Sequence, residues 1–476
     1  MKKNRTETLI NLSTKTFIQV VALLFALMLA AIVLTYVIPK GAFGTSPDGT
    51  TDFSVYTPVE GAKGIPIWKG LLSPILVFGS SNGLTLIMLS LFLVTVFAAF
   101  QVMNDVGGIR TLVGAVAKRF QKRRALLLAM ISLVFMCFGA FLGLFEEMLS
   151  MLPIVTALCV LLGYDSFTGF LVCIIACGFG FASAITNPFT VLLASEIIGA
   201  NPMEHILYRV VIFAVMYALL LGFVFLYVKR LKKDPASSLT LSHDEALRKT
   251  DRVNGETFEP KDERRIRVTY IVFLLVCLAL IVTCSAVAAL RDYTVVVLIA
   301  YFLLFGLIAG FVSAKAIKPV FKSFLKGVVG ALPTIVFIAL ASSVKYIFDE
   351  GAIMPTIVHS INTAVSGHSP FLVALVLYAI ILVLEFFISS STAKAILVMG
   401  MLAVLSVPLS RQMLVLIYTF ADGYTNVLFP TSPVLLISLS MIGVDYFKWV
   451  KKSVPLFLLN LALVIAFLAL GIVLGY

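Results

Sequence analysis

The sequence is poor in charged residues, cysteine, histidine and tryptophan. Only 13% of its 476 residues are charged and 61% are hydrophobic, whereas soluble domains carry about 25% charged residues. The four histidines form no ligand pattern, and the six cysteines lie in apolar runs without the spacing of a metal site or a disulfide framework. There is no glycine-rich nucleotide-binding loop with its lysine, which argues against an ATP-driven pump. We therefore expect neither a soluble protein nor a bound cofactor.

Long apolar runs dominate the sequence instead. Several reach 18 residues or more, the length that crosses about 30 Å of hydrocarbon. The net charge of +12 does not indicate nucleic-acid binding, because the basic residues are confined to a few segments that flank apolar runs. These segments are residues 118–124, 229–233 and 261–267, with further lysines at 315, 318, 322 and 326. Such clusters are typical of cytoplasmic loops, so we predict a polytopic protein of a lipid bilayer.

The charges also predict a topology with the N-terminus inside and the C-terminus outside. We expect an all-α fold of about nine transmembrane helices and two re-entrant hairpins. In chain order these are spans at about 17–38 and 83–103, an inner-side hairpin at about 124–164, a broken helix at about 166–199, spans at about 203–228, 266–290, 294–312 and 325–346, an outer-side hairpin at about 370–408, a broken helix at about 411–445 and a last span at about 442–474. Residues 41–66 are expected as an outer loop. Two ordinary spans at 124–164 would balance the charges equally, but carboxylates at that depth are costly unless sheltered.

One motif occurs twice and interrupts an apolar run each time. It reads Phe-Ala-x-x-x-Thr-Asn at 181–187 and at 420–426. Each threonine, Thr186 or Thr425, has a glutamate 40 residues upstream, Glu146 or Glu385, so both pairs are offset by 239 residues. A polar break repeated in both halves of a membrane protein is typical of transporters, whose site lies where two internal repeats meet.

The charges indicate that the two repeats are inverted. The segment at 325–346 is expected to run outward and its counterpart at 83–103 inward; the last span and its counterpart at 203–228 are also opposed. We therefore predict a first repeat at 1–230, a cytoplasmic linker at 231–265 and a second repeat at 266–476.

The polar residues at the hairpin tips and breaks are the expected substrate-binding residues. They are Glu146, Glu147, Thr186, Asn187, Glu385, Ser390, Ser391, Thr392, Lys394, Asp422, Thr425, Asn426, Thr431 and Ser432. Free N–H groups and hydroxyls at such helix ends suit a carboxylate, whereas freed carbonyls near Asn187 or Asn426 suit a sodium ion. Hydrogen bonding between helices is the alternative role of the threonines and asparagines. Lys394 either pairs with Glu385 or meets an anionic substrate, and Arg209 is expected as an interfacial anchor.

Four segments resemble a known family of carriers. They are GLFEEMLSMLP with GYDS (143–166), GFASAITNPF (180–189), EFFISSSTAKA (385–395) and DGYTNVLFPTSPVL (422–435). They resemble the YfcC group of the DcuC-type carriers, in the ion transporter superfamily that includes the AbgT transporters. The resemblance implies two inverted repeats, two hairpins and an elevator mechanism, and we expect spans one, two, five and their counterparts to form the scaffold. The family usually has Asn-Phe-Phe-Ile-Pro-Ser-Gly-Ser-Gly-Lys where residues 385–394 read Glu-Phe-Phe-Ile-Ser-Ser-Ser-Thr-Ala-Lys, which favours helix and adds an acid.

We therefore expect a secondary active transporter rather than an enzyme. Four acids against one lysine suit an amino acid, including a basic one, moved by exchange or ion symport. The acids either bind its amine or carry coupling protons. A C4-dicarboxylate carrier is the alternative, and a channel or an intramembrane enzyme belongs to the less favoured classes. The coupling ion is H⁺ or Na⁺, and we expect a homodimer in the cytoplasmic (inner) membrane of a bacterium.

Overall fold

The structure is a computed structural model that describes residues 14–45, 51–59, 64–81, 83–245, 260–291, 293–365, 367–386, 391–404 and 407–476. The first half contains helices α1 (Thr14–Val37), α2 (Gly83–Asp105), α3 (Gly108–Phe120), α4 (Arg124–Leu142), α5 (Leu152–Leu161), α6 (Ser166–Ala182), α7 (Pro188–Ile198) and α8 (Ile206–Lys233). The second half contains α9 (Pro260–Ala286), α10 (Thr294–Ala314), α11 (Ile317–Gly351), α12 (Met354–Val365), α13 (Pro370–Glu385), α14 (391–404), α15 (Arg411–Thr425), α16 (Pro433–Met441) and α17 (Tyr446–Leu474).

Six of the described helices are long and apolar enough to cross a membrane: α2, α4, α8, α10, α11 and α17. The predicted polytopic class is therefore confirmed, whereas the count of nine spans stays a prediction. α4 is among the six, although we predicted it as one arm of a hairpin. Its partner arm α5 has only 10 residues, too few to span about 30 Å.

The prediction of a purely α-helical fold is wrong in one place. Strands β1 (Gly41–Thr45) and β2 (Thr51–Pro58) pair antiparallel within the segment that we expected as an outer loop. β-Branched and aromatic residues in β2, such as Val55 and Tyr56, favour a strand. The Tyr56 ring stacks on His359 of α12 at 4.1 Å between centroids, so the β-hairpin is fixed to the second half of the chain.

Ion pairs and hydrogen bonds define two ends of the molecule. We call one of them the basic end and define it by Asp105, Arg265, Ser313 and Lys326. Helices α2 and α10 end there, and helices α9 and α11 begin there. Lys326 Nζ lies 3.9 Å from Asp105 Oδ2, and Arg265 donates to the Ser313 carbonyl at 2.9 Å.

At the opposite end, the β-hairpin end, the Gly41 N–H donates to the Ala352 carbonyl just beyond α11 at 3.0 Å. Lys69 and Glu350 form an ion pair of 2.5 Å nearby. α2 and α11 therefore pack antiparallel.

The remaining helices surround the two breaks. α6 packs on α4, α5, α8 and α15, and α13 packs on α15 and α17. α8 and α17 are antiparallel, because Tyr208 near the start of α8 donates to the Phe467 carbonyl near the end of α17 at 2.5 Å.

The expectation that the fifth span, α8, joins α1 and α2 in a scaffold stays a prediction. The buried stripe of α8 contains Ile212, Met216, Leu220 and Val224, and its main partners are α4, α6 and α17.

The first part of the predicted linker is docked on the protein. Asp244 accepts hydrogen bonds from the Ser166 N–H (3.1 Å) and hydroxyl (2.5 Å) at the start of α6. Asp165 accepts from Tyr227 of α8 at 2.5 Å and from Ser238 at 2.7 Å. Residues 235–245 are thus tied to α6 and α8, and residues 246–259 lie outside the described residues.

Candidate functional site

Three charged side chains meet at the second break, buried inside the protein. Lys394 of α14 forms ion pairs with Glu385 at the end of α13 and with Asp422 of α15. The Lys394 ammonium lies 2.6 Å from Asp422 Oδ1. The exposed fractions of Lys394, Glu385 and Asp422 are 1%, 3% and 0%. The sequence left two roles open for Lys394, and the structure pairs it with Glu385 and also with Asp422.

Two hydroxyl groups complete this charged cluster. Ser391 donates to Asp422 Oδ2 at 2.9 Å, and Thr425 donates to Glu385 Oε2 at 3.2 Å. The contact between Thr425 and Glu385 joins the two residues that the 40-residue spacing singled out. Within the part of the chain that the structure describes, Glu385 Oε1 is buried and accepts no hydrogen bond. One carboxylate oxygen of the cluster therefore has no partner there.

Helix ends bring these residues together. α13 ends at Glu385, and α14 begins at Ser391 and carries Lys394 one turn later. α15 ends at Thr425, after which the chain is non-helical until Pro433 starts α16 with Ser432 as its N-cap. The helix is thus interrupted directly after Thr425, and Pro433 starts the next helix at a position where no N–H partner is needed.

The first break is organised differently, through backbone contacts with the end of α4. The N–H groups of Ile185 and Thr186 both donate to the Ala140 carbonyl, at 3.0 and 3.2 Å. Asn187 donates to the Gly139 carbonyl at 3.2 Å and accepts from the Phe189 N–H at 2.9 Å, which caps α7. Both polar groups of Asn187 therefore have protein partners.

Glu146 and Glu147 lie in the short turn Glu146–Ser150 between α4 and α5. Glu146 is exposed and Glu147 is half-buried, and the turn packs on α2 and α16. Among the described residues neither carboxylate forms an ion pair. Thr186 donates to the Phe141 carbonyl at 3.4 Å instead of to Glu146, so the first half does not repeat the contact between Glu385 and Thr425.

The two breaks touch each other. A Cβ added to Gly423 would lie 2.1 Å from the Ala182 Cα at the end of α6. One added to Gly178 would lie 2.2 Å from a methyl group of Val427. The Phe179 and Tyr424 rings also meet edge to face at 5.2 Å. Glycine at these positions allows the backbones of α6 and α15 to cross beside the charged cluster.

The remaining predicted residues differ in how much of each the structure describes. Asn426 donates to the Asp422 carbonyl at 3.0 Å, and Thr431 is buried. For Thr392 the structure describes only the helical backbone, and Ser390 lies outside the described residues. Within the described residues no group of three or more histidine, cysteine, aspartate or glutamate side chains could hold a metal ion.

Sequence reasoning missed the side chains that hold the freed carbonyls. Arg209, in the first turn of α8, is 3% exposed and donates to the Ala184 carbonyl at 3.4 Å. Trp449, in the first turn of α17, donates to the Val427 carbonyl at 3.0 Å. Arg209 is therefore buried and bonded to the first break, whereas its place at the start of a span had led us to expect an interfacial anchor. Both residues stand near the start of the long helix that follows their break, which is the signal that could have identified them.

Comparison with known proteins identifies the family. The chain matches the model of the C4-dicarboxylate anaerobic carriers, DcuC, over residues 17–473. The chain belongs to the DcuC family. The predicted family resemblance is thereby confirmed, and the protein is a multi-pass membrane transporter by family and by its apolar helices.

Two curated proteins are similar along most of the chain. YfcC of Escherichia coli K12 is 27% identical over 394 residues, which cover 80% of this chain and 76% of YfcC. An uncharacterised protein of Haemophilus influenzae is 26% identical over 359 residues, covering 75% of this chain and 69% of that protein.

Two transporters of known structure also align with this chain. The YdaH transporter of Alcanivorax borkumensis is 13% identical with a TM-score of 0.46, covering 96% of this chain and 99% of YdaH. MtrF of Neisseria gonorrhoeae is 13% identical with a TM-score of 0.44, covering 94% of both chains.

Proposed function

We propose that this DcuC-family member is a secondary active transporter for an amino acid, including basic ones. The observation that carries the proposal is the excess of carboxylate over cation at the second break. Lys394 is already paired with Glu385 and Asp422, so it cannot take a substrate carboxylate without giving up a buried partner. Removing one partner of a buried ion pair typically costs about 3–5 kcal/mol.

The excess of negative charge favours a substrate with an amino group. Glu385 and Asp422 outnumber Lys394, and Glu146 and Glu147 add two carboxylates without an ion-pair partner among the described residues. A dicarboxylate would bring two further negative charges toward this site. An amine instead compensates the excess, and the substrate's own carboxylate can bind free N–H groups at a helix end.

The comparisons supply one argument for each substrate class. YfcC is named as a putative basic amino acid antiporter, which agrees with the acidic site. The family model is described as a C4-dicarboxylate anaerobic carrier, so a C4-dicarboxylate is the second candidate.

The packing of equivalent helices supports two inverted repeats. α8 begins at Ile206 and α17 at Tyr446, close to the 239-residue offset of the repeated motif, and the two helices are antiparallel. α2 and α11 overlap at the same offset and are antiparallel as well. Equivalent elements that run in opposite directions are the arrangement expected of an inverted repeat.

Two contacts support hairpins that open at opposite ends. Arg124 at the start of α4 donates to the Leu162 carbonyl at the end of α5, so this segment begins and ends at one place. In the second half, α12 packs on α13, and both α12 and the end of α14 pack on the β-hairpin. We propose that the hairpins and broken helices move together as an elevator, with H⁺ or Na⁺ coupling, in a homodimer of a bacterial inner membrane.

Counterflow in proteoliposomes tests the substrate class. Vesicles are loaded with unlabelled arginine, alanine or succinate, and uptake of the labelled compound is followed. We expect the wild type and the control variant Glu350→Gln to exchange amino acids. In the wild type, the Glu350 carboxylate pairs with Lys69, far from the breaks. Glu146→Gln and Glu385→Gln should each abolish exchange. Counterflow of succinate alone would instead favour the dicarboxylate carrier, and unitary currents would indicate a channel.

A further inference from the structure

We infer that Glu385 holds a proton in the empty carrier and that this proton is exchanged for one cationic group of the substrate. The inference rests on the proposed amino-acid function and names its coupling ion. It makes Glu385 the place where a proton and an ammonium group bind alternately, which turns substrate entry and proton release into one event.

The charge balance of the cluster requires one additional positive charge. Two carboxylates, Glu385 and Asp422, face one ammonium group, that of Lys394, and all three are almost completely buried. If all were ionised, the cluster would keep one net negative charge away from water, which is costly in a low-dielectric interior. One proton, or one substrate ammonium, makes the cluster neutral.

The hydrogen-bond pattern identifies the oxygen that takes the proton. Asp422 Oδ1 faces Lys394, and Asp422 Oδ2 accepts from Ser391. Glu385 Oε2 faces Lys394 and accepts from Thr425. Of the four carboxylate oxygens of Glu385 and Asp422, only Glu385 Oε1 has neither a hydrogen bond nor an ion-pair contact among the described residues. A proton on this oxygen breaks none of the existing contacts.

Among the described residues, Lys394 is the cation that faces Glu385. Asp422 and Tyr418 of α15 face it, as does Tyr378 of its own helix. The other helices that pack on α13 bring no charge to this depth: α17 has its lysines only in the first two turns, and α12 contributes His359 near the β-hairpin. Lys394 lies against both acids, which favours its charged form, so the exchangeable proton is that of the acid.

The exchange step conserves charge. The O–H bond of Glu385 breaks, the proton passes to water, and the substrate ammonium, which stays protonated, takes its place against the carboxylate. The cluster is neutral before and after the step, and one proton leaves for each cationic group that binds. A carrier with this site exchanges a proton for a basic amino acid across the membrane.

Two experiments on purified full-length protein test the inference. The first needs no substrate: infrared spectroscopy at neutral pH should show the C=O band of a protonated carboxyl group in the wild type and in Glu350→Gln. The band should be absent in Glu385→Gln. A wild-type spectrum without it, or an unchanged band in Glu385→Gln, would overturn the inference.

The second experiment measures proton release on binding L-arginine, by calorimetry in two buffers of different ionisation enthalpy. We expect about one proton per arginine bound in the wild type and none in Glu385→Gln. Equal release by both, or no release by the wild type, contradicts the proposal. Because the glutamine variant can fail to fold, Glu385→Asp serves as a second variant and should retain both the band and the release. If no amino acid binds the wild type, the proposed function itself fails, while the infrared result still decides where the proton lies.

Discussion

The Arg124 guanidinium donates a 2.6 Å hydrogen bond to the carbonyl oxygen of Leu162, 38 residues later in the chain. This bond joins the first residue of α4 to the residue that follows α5, and it closes the open end of the segment that carries Glu146 and Glu147. A bond from a charged donor to a carbonyl contributes about 1.5–3 kcal/mol.

We expect Arg124→Ala to destabilise the protein by about that amount, because the Leu162 carbonyl loses its donor. The free energy of unfolding in mixed micelles measures the loss. Arg123→Ala is the matched control, since Arg123 is exposed and its removal should change the stability by less than about 0.5 kcal/mol. Equal effects of the two substitutions would contradict the closing role of Arg124.

The charged cluster predicts strong coupling between Lys394 and Glu385. Lys394→Met leaves the buried acids Glu385 and Asp422 facing each other without their cation and should cost about 3–5 kcal/mol. Adding Glu385→Gln removes one of the two acids, so the double variant should be more stable than Lys394→Met alone. A double-mutant cycle on unfolding free energies measures this coupling. Losses that simply add would mean that the ion pair has no energetic role.

The crossing of α6 and α15 predicts that Gly423 tolerates no side chain. A Cβ at this position would lie 2.1 Å from the Ala182 Cα, a backbone atom that cannot swing aside. We expect Gly423→Ala to lower stability by about 3 kcal/mol and to impair transport. Gly222→Ala is the control, because no atom lies within 4 Å of the added methyl group, and alanine favours a helix by about 1 kcal/mol. Similar behaviour of the two variants would argue against the close crossing.

The two tryptophans provide a further matched pair. Trp449 is fully buried and donates to the Val427 carbonyl, whereas Trp68 is 62% exposed. Trp449→Phe keeps an aromatic ring but leaves that carbonyl without its donor, so we expect a loss of about 1–3 kcal/mol. Trp68→Phe should change stability by less than about 0.5 kcal/mol. Thermal unfolding followed by circular dichroism compares them, and a harmless Trp449→Phe would contradict a role in holding the break.

The sequence identified Glu385 and Thr425 as candidate site residues because the signal of each is local and repeated in the other half of the chain. Both residues interrupt apolar runs, and polar groups at that depth need partners. It did not predict that Glu146 stays exposed while Glu385 is buried, since the exposure of a side chain depends on which helices pack over it. Arg209 was misjudged for the same reason: a basic residue at the start of a span is usually an anchor, and only the position of Ala184 makes it a donor to the break. The place of α8 beside α6 likewise depends on three-dimensional packing that helix length and charge do not contain.

The length of α11 has a practical consequence for observing movement in this transporter. Its 35 residues extend about 52 Å at 1.5 Å per residue, well beyond the thickness of a bilayer core. Lys345, Asp349 and Glu350 are concentrated in its last two turns, where charges avoid lipid. Because Glu350 forms an ion pair with Lys69, a spectroscopic label at this end of α11 can serve as a fixed reference point. Distances from that label to a second label on α15 would then record any displacement of the helices that carry the charged cluster.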